Sequence, residues 1–284
     1  SPSLSLPVNL FHYAKLTPQF TFKETYWSRD DNQEYTRREE KNRDETGNRT
    51  LYNASVSLNS QMSRIFDVRM GNWEKMRHEI KPEVIYSYVP DVSADHVPGY
   101  YLPVSSPFVM PISPLSNNTL TEQNAVAWAL TNTLTARVKN DAGSYSYLEF
   151  LRLKLFQAYD INEDRRDVGR HDPEKRPFSD MGIEFDLAPH KYLSFKSRSI
   201  YNYDDGWKQN NFDLNVRDWR GDFLIIGYRN TNDFIEELNL RLKAVLTQSI
   251  DGMLVFRRDL LNSRRIENSL GLFYHKQCWR LGLE

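Results

Sequence analysis

The chain has 284 residues, a net charge of -1 and an isoelectric point near 6.6, a balance that excludes a global basic surface for nucleic acid. No stretch reaches the roughly 18 consecutive apolar residues of a membrane-crossing helix. A transmembrane β-strand needs only about 10 alternating residues, which a mean hydropathy of -0.66 does not reveal.

In chain order, short stretches place apolar residues at every second position, the mark of a strand with one greasy and one wet face. The first candidate, 3–9, is faint. Residues 16–27 set Phe20, Phe22 and Tyr26 against Thr21, Lys23 and Thr25, and 50–60 set Tyr52, Ala54, Val56 and Leu58 against Asn53, Ser55, Ser57 and Asn59. Residues 76–88 set Ile80, Val84, Tyr86 and Tyr88 against Arg77, Glu79, Lys81 and Glu83. In 124–138, Val126, Trp128, Leu130 and Leu134 alternate with small Ala and Thr residues, and in 145–159 Leu151, Leu153 and Leu155 alternate with Arg152 and Lys154. The second half is denser. Met181, Ile183, Phe185 and Leu187 mark 180–187; Leu193, Phe195, Tyr201 and Tyr203 mark 192–203; Phe212, Leu214 and Val216 mark 210–217. Residues 222–229, 235–246, 252–259, 265–274 and 278–284 complete the set, and Leu238, Leu240 and Leu242 against Asn239, Arg241 and Lys243 form its cleanest case.

The connections sort by parity. Those after the second, fourth and sixth candidates are long (28–48, 90–123, 160–179), whereas those after the fifth, seventh, ninth and eleventh are tight (139–144, 188–191, 218–221, 247–251). The third connection, 61–75, reads as a loop longer than this rule wants and holds Ile65, Phe66 and Trp73. Long loops on one side are expected of an outer-membrane barrel and not of a two-sheet sandwich. The fold class is therefore all-β, an antiparallel up-and-down transmembrane β-barrel segment of about fourteen strands. With the long loops outside the cell, the last strand runs away from the periplasm, while single-chain barrels keep both termini there. The chain, which opens on Ser1-Pro2-Ser3 without a signal peptide, is thus expected to be an incomplete part of a larger barrel.

Nothing argues for catalysis, a metal or a cofactor. His12, His78, His96, His171, His190 and His275 are scattered, no glycine-rich phosphate loop appears, and Asp204-Asp205 diverge in a turn. The charged run 29–49 reads as a solvated loop, with contact to an anionic sugar surface as the sharper alternative. The proline-rich stretch 89–123, with Tyr100, Tyr101, Phe108 and Met110, reads as an ordered loop folding over or into the barrel. The lone Cys278 is either a packed thiol or half of a bridge to a cysteine elsewhere.

Four segments in order resemble one family: HEIKPEVIYSYVP at 78–90, LTEQNAVAWALTNT at 120–133, GDFLIIGYR at 221–229 and FYHKQCWRLG at 273–282. They are similar to the C-terminal barrel region of the LptD (OstA, Imp) family of lipopolysaccharide-assembly proteins, and the similarity covers most of the chain. The resemblance implies one partial outer-membrane β-barrel domain over 1–284, without the periplasmic jellyroll and the terminal strands that form the lateral gate. It implies a bacterial outer-membrane translocon, not an enzyme, that inserts lipopolysaccharide into the outer leaflet. Implied partners are lipopolysaccharide, an LptE-like lipoprotein plug, outer-membrane lipids and, through the missing domain, an LptA-like periplasmic bridge. Where many members have adjacent cysteines this chain has Gln277-Cys278, so Cys278 alone carries over as half of a bridge to that domain.

On this reading Phe212, Leu214, Val216, Leu238, Leu240 and Leu242 face lipid. Arg137, Arg152, Lys154, Lys196, Arg198, Arg241 and Lys243 face the lumen, either holding phosphates or an acidic plug surface or forming a hydrated charged wall. Two other classes compete. A diffusion channel or hydrophobic-substrate transporter would need a closed fourteen-strand barrel, and a soluble all-β binding protein would pack its apolar faces on each other.

Overall fold

A computed structural model describes residues 2–10, 13–28, 46–91, 122–140, 143–169, 173–276 and 279–283. The strands are β1 (Ser3–Ser5), β2 (Val8–Leu10), β3 (Ala14–Ser28), β4 (Thr46–Ser60), β5 (Met62–Met70), β6 (Trp73–Val89), β7 (Gln123–Lys139) and β8 (Tyr145–Asp160). After the helix α1 (Ile161–Arg165) come β9 (Met181–His190), β10 (Leu193–Asn202), β11 (Gly206–Arg217), β12 (Phe223–Thr231), β13 (Ile235–Thr247), β14 (Ile250–Asp259), β15 (Arg264–Lys276) and β16 (Trp279–Leu283). Neighbours in the sheet follow chain order from β1 through β3, β4 and β6 to β16, with β2 beside β3 and β5 beside β6. The pairing is antiparallel and the strand order is open, β1 at one end and β16 at the other.

Sixteen segments amount to fourteen strands. β1 and β2 hold one register against β3, from Ser3↔Thr21 to Leu10↔Ala14, and the Leu6 amide still donates to the Pro18 carbonyl at 3.1 Å between them. Pro7, with no N–H, accounts for the interruption. β4 and β5 likewise hold one register against β6, from Asn59↔Glu83 to Met62↔Ile80. The stretch 61–75 is therefore not a loop, as its composition implied. It is a strand extension and a tight turn, reversed at Gly71, whose φ of 61° suits glycine. Counted over these fourteen strands rather than the sixteen segments, every connection after an odd-numbered strand is short and the three long ones, after β3, β6 and β8, follow the second, fourth and sixth strands.

Of the long connections, 161–180 is described except for 170–172. Asp160 caps α1, its carboxylate accepting from the amides of Asn162 (2.9 Å) and Glu163 (3.1 Å). The chain then returns along β8, where Tyr159 bridges Phe178 and the Ser179 amide donates to the Ala158 carbonyl at 2.9 Å. The charged run 29–45, the proline-rich stretch 92–121, His12, His96, His171 and Cys278 lie outside the described residues.

The chain divides into two compact units. The first holds 1–61, 81–129 and 156–179; the second holds 62–80, 130–155 and 180–284. In the first, the buried centre is made of small side chains, Ala125, Ala127 and Ala158, with Ile85 packed on them. In the second, a ladder of hairpins runs from β9 to β16 with short connections on both sides.

Candidate lipid and water interfaces

Residues directly opposite in an antiparallel pair share a face, so register turns a strand-by-strand alternation into a surface. In the first unit, one face carries Leu4, Val8, Leu16, Phe20 and Phe22, continued by Leu58, Val56, Ala54 and Tyr52 on β4 and by Val84, Tyr86 and Tyr88 on β6. Most of these large apolar groups are open to solvent, Leu4 at 75% and Phe20 at 47%, with Leu16 and Tyr88 half-buried. They are also in mutual contact: Phe20 stacks on Tyr52 with ring centroids 6.0 Å apart. A hollow of about 370 Å³ on this side is lined by Leu4, Leu6, Pro18, Phe20, Val56 and Tyr86.

The opposite face is covered, and on it small polar groups lie beside Leu51, Ile85 and Val89. Asn53, Ser55 and Ser87 are buried, and the Asn53 amide donates to the Ser87 hydroxyl at 3.3 Å, which donates in turn to Gln123 Oε1 at 3.2 Å. A hollow of about 580 Å³ lies among Asn9, Tyr13, Lys15, Asn59, Lys81 and Glu83. This is the reverse of a water-soluble protein, in which large apolar groups are buried and polar ones exposed. A contiguous exposed apolar face of this kind marks contact with a membrane or another apolar partner.

The second unit builds its two faces from hairpins. Register aligns Leu187, Phe195, Leu214, Ile226, Leu240 and Phe256 across six strands. Beside them Phe212, Tyr228 and Leu238 align, as do Val216, Leu224, Leu242 and Leu254. The six apolar candidates Phe212, Leu214, Val216, Leu238, Leu240 and Leu242 thus lie on one face. Phe195 stacks on Phe212 (6.1 Å) and Phe212 on Tyr228 (5.9 Å). Large side chains also sit exposed in the turns: Tyr203, Trp219 and Phe234.

The alternate positions carry charge, organised as ion pairs. Arg198 holds Asp186 with two bonds of 3.0 and 3.1 Å, and Arg152 lies 3.7 Å from both Glu184 and Asp186. Arg229 grips both oxygens of Asp213 at 2.8 Å, Arg257 reaches Glu237 at 3.2 Å, and Lys243 lies 3.3 Å from Asp251. Lys196 stands opposite Asp186 and Asp213, while Arg241 stands between Ile225 and Val255. Lys154 follows Arg152 by two residues on β8 and so shares its side.

Arg137 has a partner of its own: it donates to Glu74 at 2.8 Å and lies 4.5 Å over the Tyr145 ring. Alternation puts Glu184, Asp186 and Asp213 on the wet face, but sequence reasoning did not pair them with the arginines, and it missed Glu237 and Asp251 and with them the ladder. The signal was opposite charge at matching parity on neighbouring strands, readable only with the register.

Two carboxylates outside the strands are held well below the ordinary carboxylate range. The Asp222 carboxylate accepts from the Val245 amide and lies beside Arg220, and the Glu163 carboxylate accepts from Arg166 and from the Arg176 amide. Both fasten connections rather than strands. Among the described residues no group of His, Cys, Asp and Glu is arranged to hold a metal, and no helix is long and apolar enough to cross a membrane.

Compared with known families, the chain matches over residues 1–257 the model of LptD, LPS transport system D. No curated protein matches it.

Proposed function

The chain belongs to the LptD family of outer-membrane lipopolysaccharide transport components, and from that premise we propose that it forms part of the wall of a lipopolysaccharide conduit that delivers its cargo to the outer leaflet. The observation that carries the reading is the reversed burial of the first unit, with Leu4, Phe20 and Val56 exposed on one face and Asn53, Ser55 and Ser87 buried on the other. The apolar face lies in the membrane, with Phe212, Leu214, Val216, Leu238, Leu240 and Leu242 in contact with acyl chains. The charged face, with Arg137, Arg152, Lys154, Lys196, Arg198, Arg241 and Lys243, lines a hydrated path.

The physical task is to move a charged sugar headgroup past hydrocarbon. Taking an unpaired charge out of water costs far more than folding can offset. A wall of pre-formed ion pairs such as Arg229–Asp213 keeps water and exchangeable partners along the route, so the head is never stripped of its hydration. A lipoprotein plug and a periplasmic bridge fit the same reading, the first against the charged face. Pairing of Cys278 with a cysteine outside this sequence belongs to it as well.

The test is photo-crosslinking in living cells, with a benzophenone side chain placed at Asn239 or at Leu240. The conduit reading expects lipopolysaccharide adducts from Asn239 that disappear when supply from the inner membrane is blocked. Absence of any supply-dependent adduct along the charged face of β13 would defeat it.

A further inference from the structure

The hairpin of β14 and β15 sorts its arginines by face. On the charged face, Arg257 donates to Asn239 Oδ1 at 2.9 Å and to Glu237 at 3.2 Å and lies 3.6 Å from Glu267, while Arg264 stands opposite Asp259. On the apolar face, Arg258 stands opposite Leu238 on one side and opposite Arg265 on the other. Both side chains are exposed, and among the described residues neither has a carboxylate at ion-pair distance. Glu236, an acid on that same face, accepts from the Tyr228 hydroxyl at 3.0 Å.

Like charges directly opposite each other repel, and here a break in register creates the juxtaposition. Pairing passes from Arg257↔Glu267 to Arg258↔Arg265, leaving Ile266 as the extra residue of a β-bulge. Without it, simple alternation would send Arg265 to the charged face with Glu267 and Ser269. Bulges re-aim side chains in this way. Directly beyond the pair lie Phe256 and Asn268, then Leu254 and Leu270, with Leu238 and Leu240 on the next strand. Two guanidiniums at the edge of an apolar strip match a group with a phosphate at one end and hydrocarbon at the other. The pair lies beyond the residues matched to the family model, so that match does not assign it.

We propose that Arg258 and Arg265 clamp the phosphate of an anionic membrane lipid whose acyl chains lie along Leu238, Phe256 and Leu270. This rests on the apolar face being the lipid-facing one. The Asn268 amide, opposite Phe256, is placed to add a neutral donor one step along.

The experiment reconstitutes the full-length protein in phosphatidylcholine nanodiscs containing a minor fraction of phosphatidylglycerol and counts retained lipids by native mass spectrometry. The wild type is expected to retain phosphatidylglycerol selectively. The Arg258→Gln, Arg265→Gln double variant is expected to lose that selectivity by roughly thirtyfold, about fivefold per arginine. Arg258→Glu forms an ion pair with Arg265 and keeps the hairpin closed, so its loss of lipid at unchanged heat-modifiable mobility separates binding from folding. Equal retention by the wild type and Arg258→Glu overturns the proposal. Inorganic phosphate held in lipid-free detergent micelles as tightly as phosphatidylglycerol is held in nanodiscs overturns the lipid assignment. A Leu240→Arg protein that folds normally would instead defeat the lipid-facing reading beneath it, a result scored by folding and independent of the lipid counts.

Discussion

The two units make a water-compatible face in different ways. The first covers small or neutral groups at its centre, where Ala127 has no exposure, nor has Ser87, and Asn53 hydrogen-bonds within the layer, and it keeps Lys15, Lys81 and Glu83 around a hollow. The second uses charge and leaves it half open, as in Arg229–Asp213, whose side chains are 41% and 48% exposed. Strand length varies as well: β6, β7 and β8, which run through both units, have 17, 17 and 16 residues, whereas β9, β10 and β12 of the second unit have 10, 10 and 9. About 9–11 residues suffice to cross hydrocarbon at the usual tilt, a length that even the shorter strands reach. A close-packed neutral layer should be sensitive to volume, and a hydrated ion-pair layer should be sensitive to neither volume nor single charges.

The largest effect is expected on the apolar face of β13. Leu240→Arg should lower folding stability in vesicles by roughly 2–4 kcal/mol if position 240 lies near the bilayer midplane, whereas Asn239→Arg should be tolerated. Urea titrations of insertion into vesicles would check both, and equal losses would undo the face assignment for β13.

Next comes volume in the first unit. Ala127→Leu places extra atoms where Ala127 is fully covered, and overpacking of this kind costs about 1–3 kcal/mol. Asp213→Asn, at a half-exposed pair, should cost less than about 1 kcal/mol. The same titrations would rank them, and the reverse order would erase the contrast drawn between the units. A double-mutant cycle on Arg198 and Asp186 should give a coupling of about 0.2–1 kcal/mol, because their side chains are 31% and 26% exposed and only partly shielded.

The smallest effect concerns pH. The Glu163 carboxylate is held below its ordinary range first by the Arg166 guanidinium and then by the Arg176 amide. A carboxyl group with a depressed folded-state pKa contributes stability that is present above its unfolded value and lost as pH falls through the folded one. The connection 161–180 should therefore become more protease-sensitive only as pH falls below the ordinary carboxylate range, and Glu163→Gln should be sensitive already at neutral pH. Limited proteolysis across a pH series would show it, and identical profiles would remove Glu163 as the fastener.

Much of the fold was legible because a period of two survives in one dimension. Leu238, Leu240 and Leu242 against Asn239, Arg241 and Lys243 announce both a strand and its faces, and the length of each connection announces the parity of the barrel. β5 was overlooked although Phe66, Val68 and Met70 alternate with Asp67 and Arg69, because Arg64 and Ile65 break the period just before them. Arg265 was left without a face for a related reason. Alternation predicts a side chain's face only while the strand stays regular, and the bulge at Ile266 reverses it. The ion-pair ladder needed even more, since which carboxylate meets which arginine depends on register between strands. The chain's own chemistry determined that there would be greasy and wet strand faces. Backbone hydrogen bonding between strands decided which faces join, because it sets the register and does not read side chains.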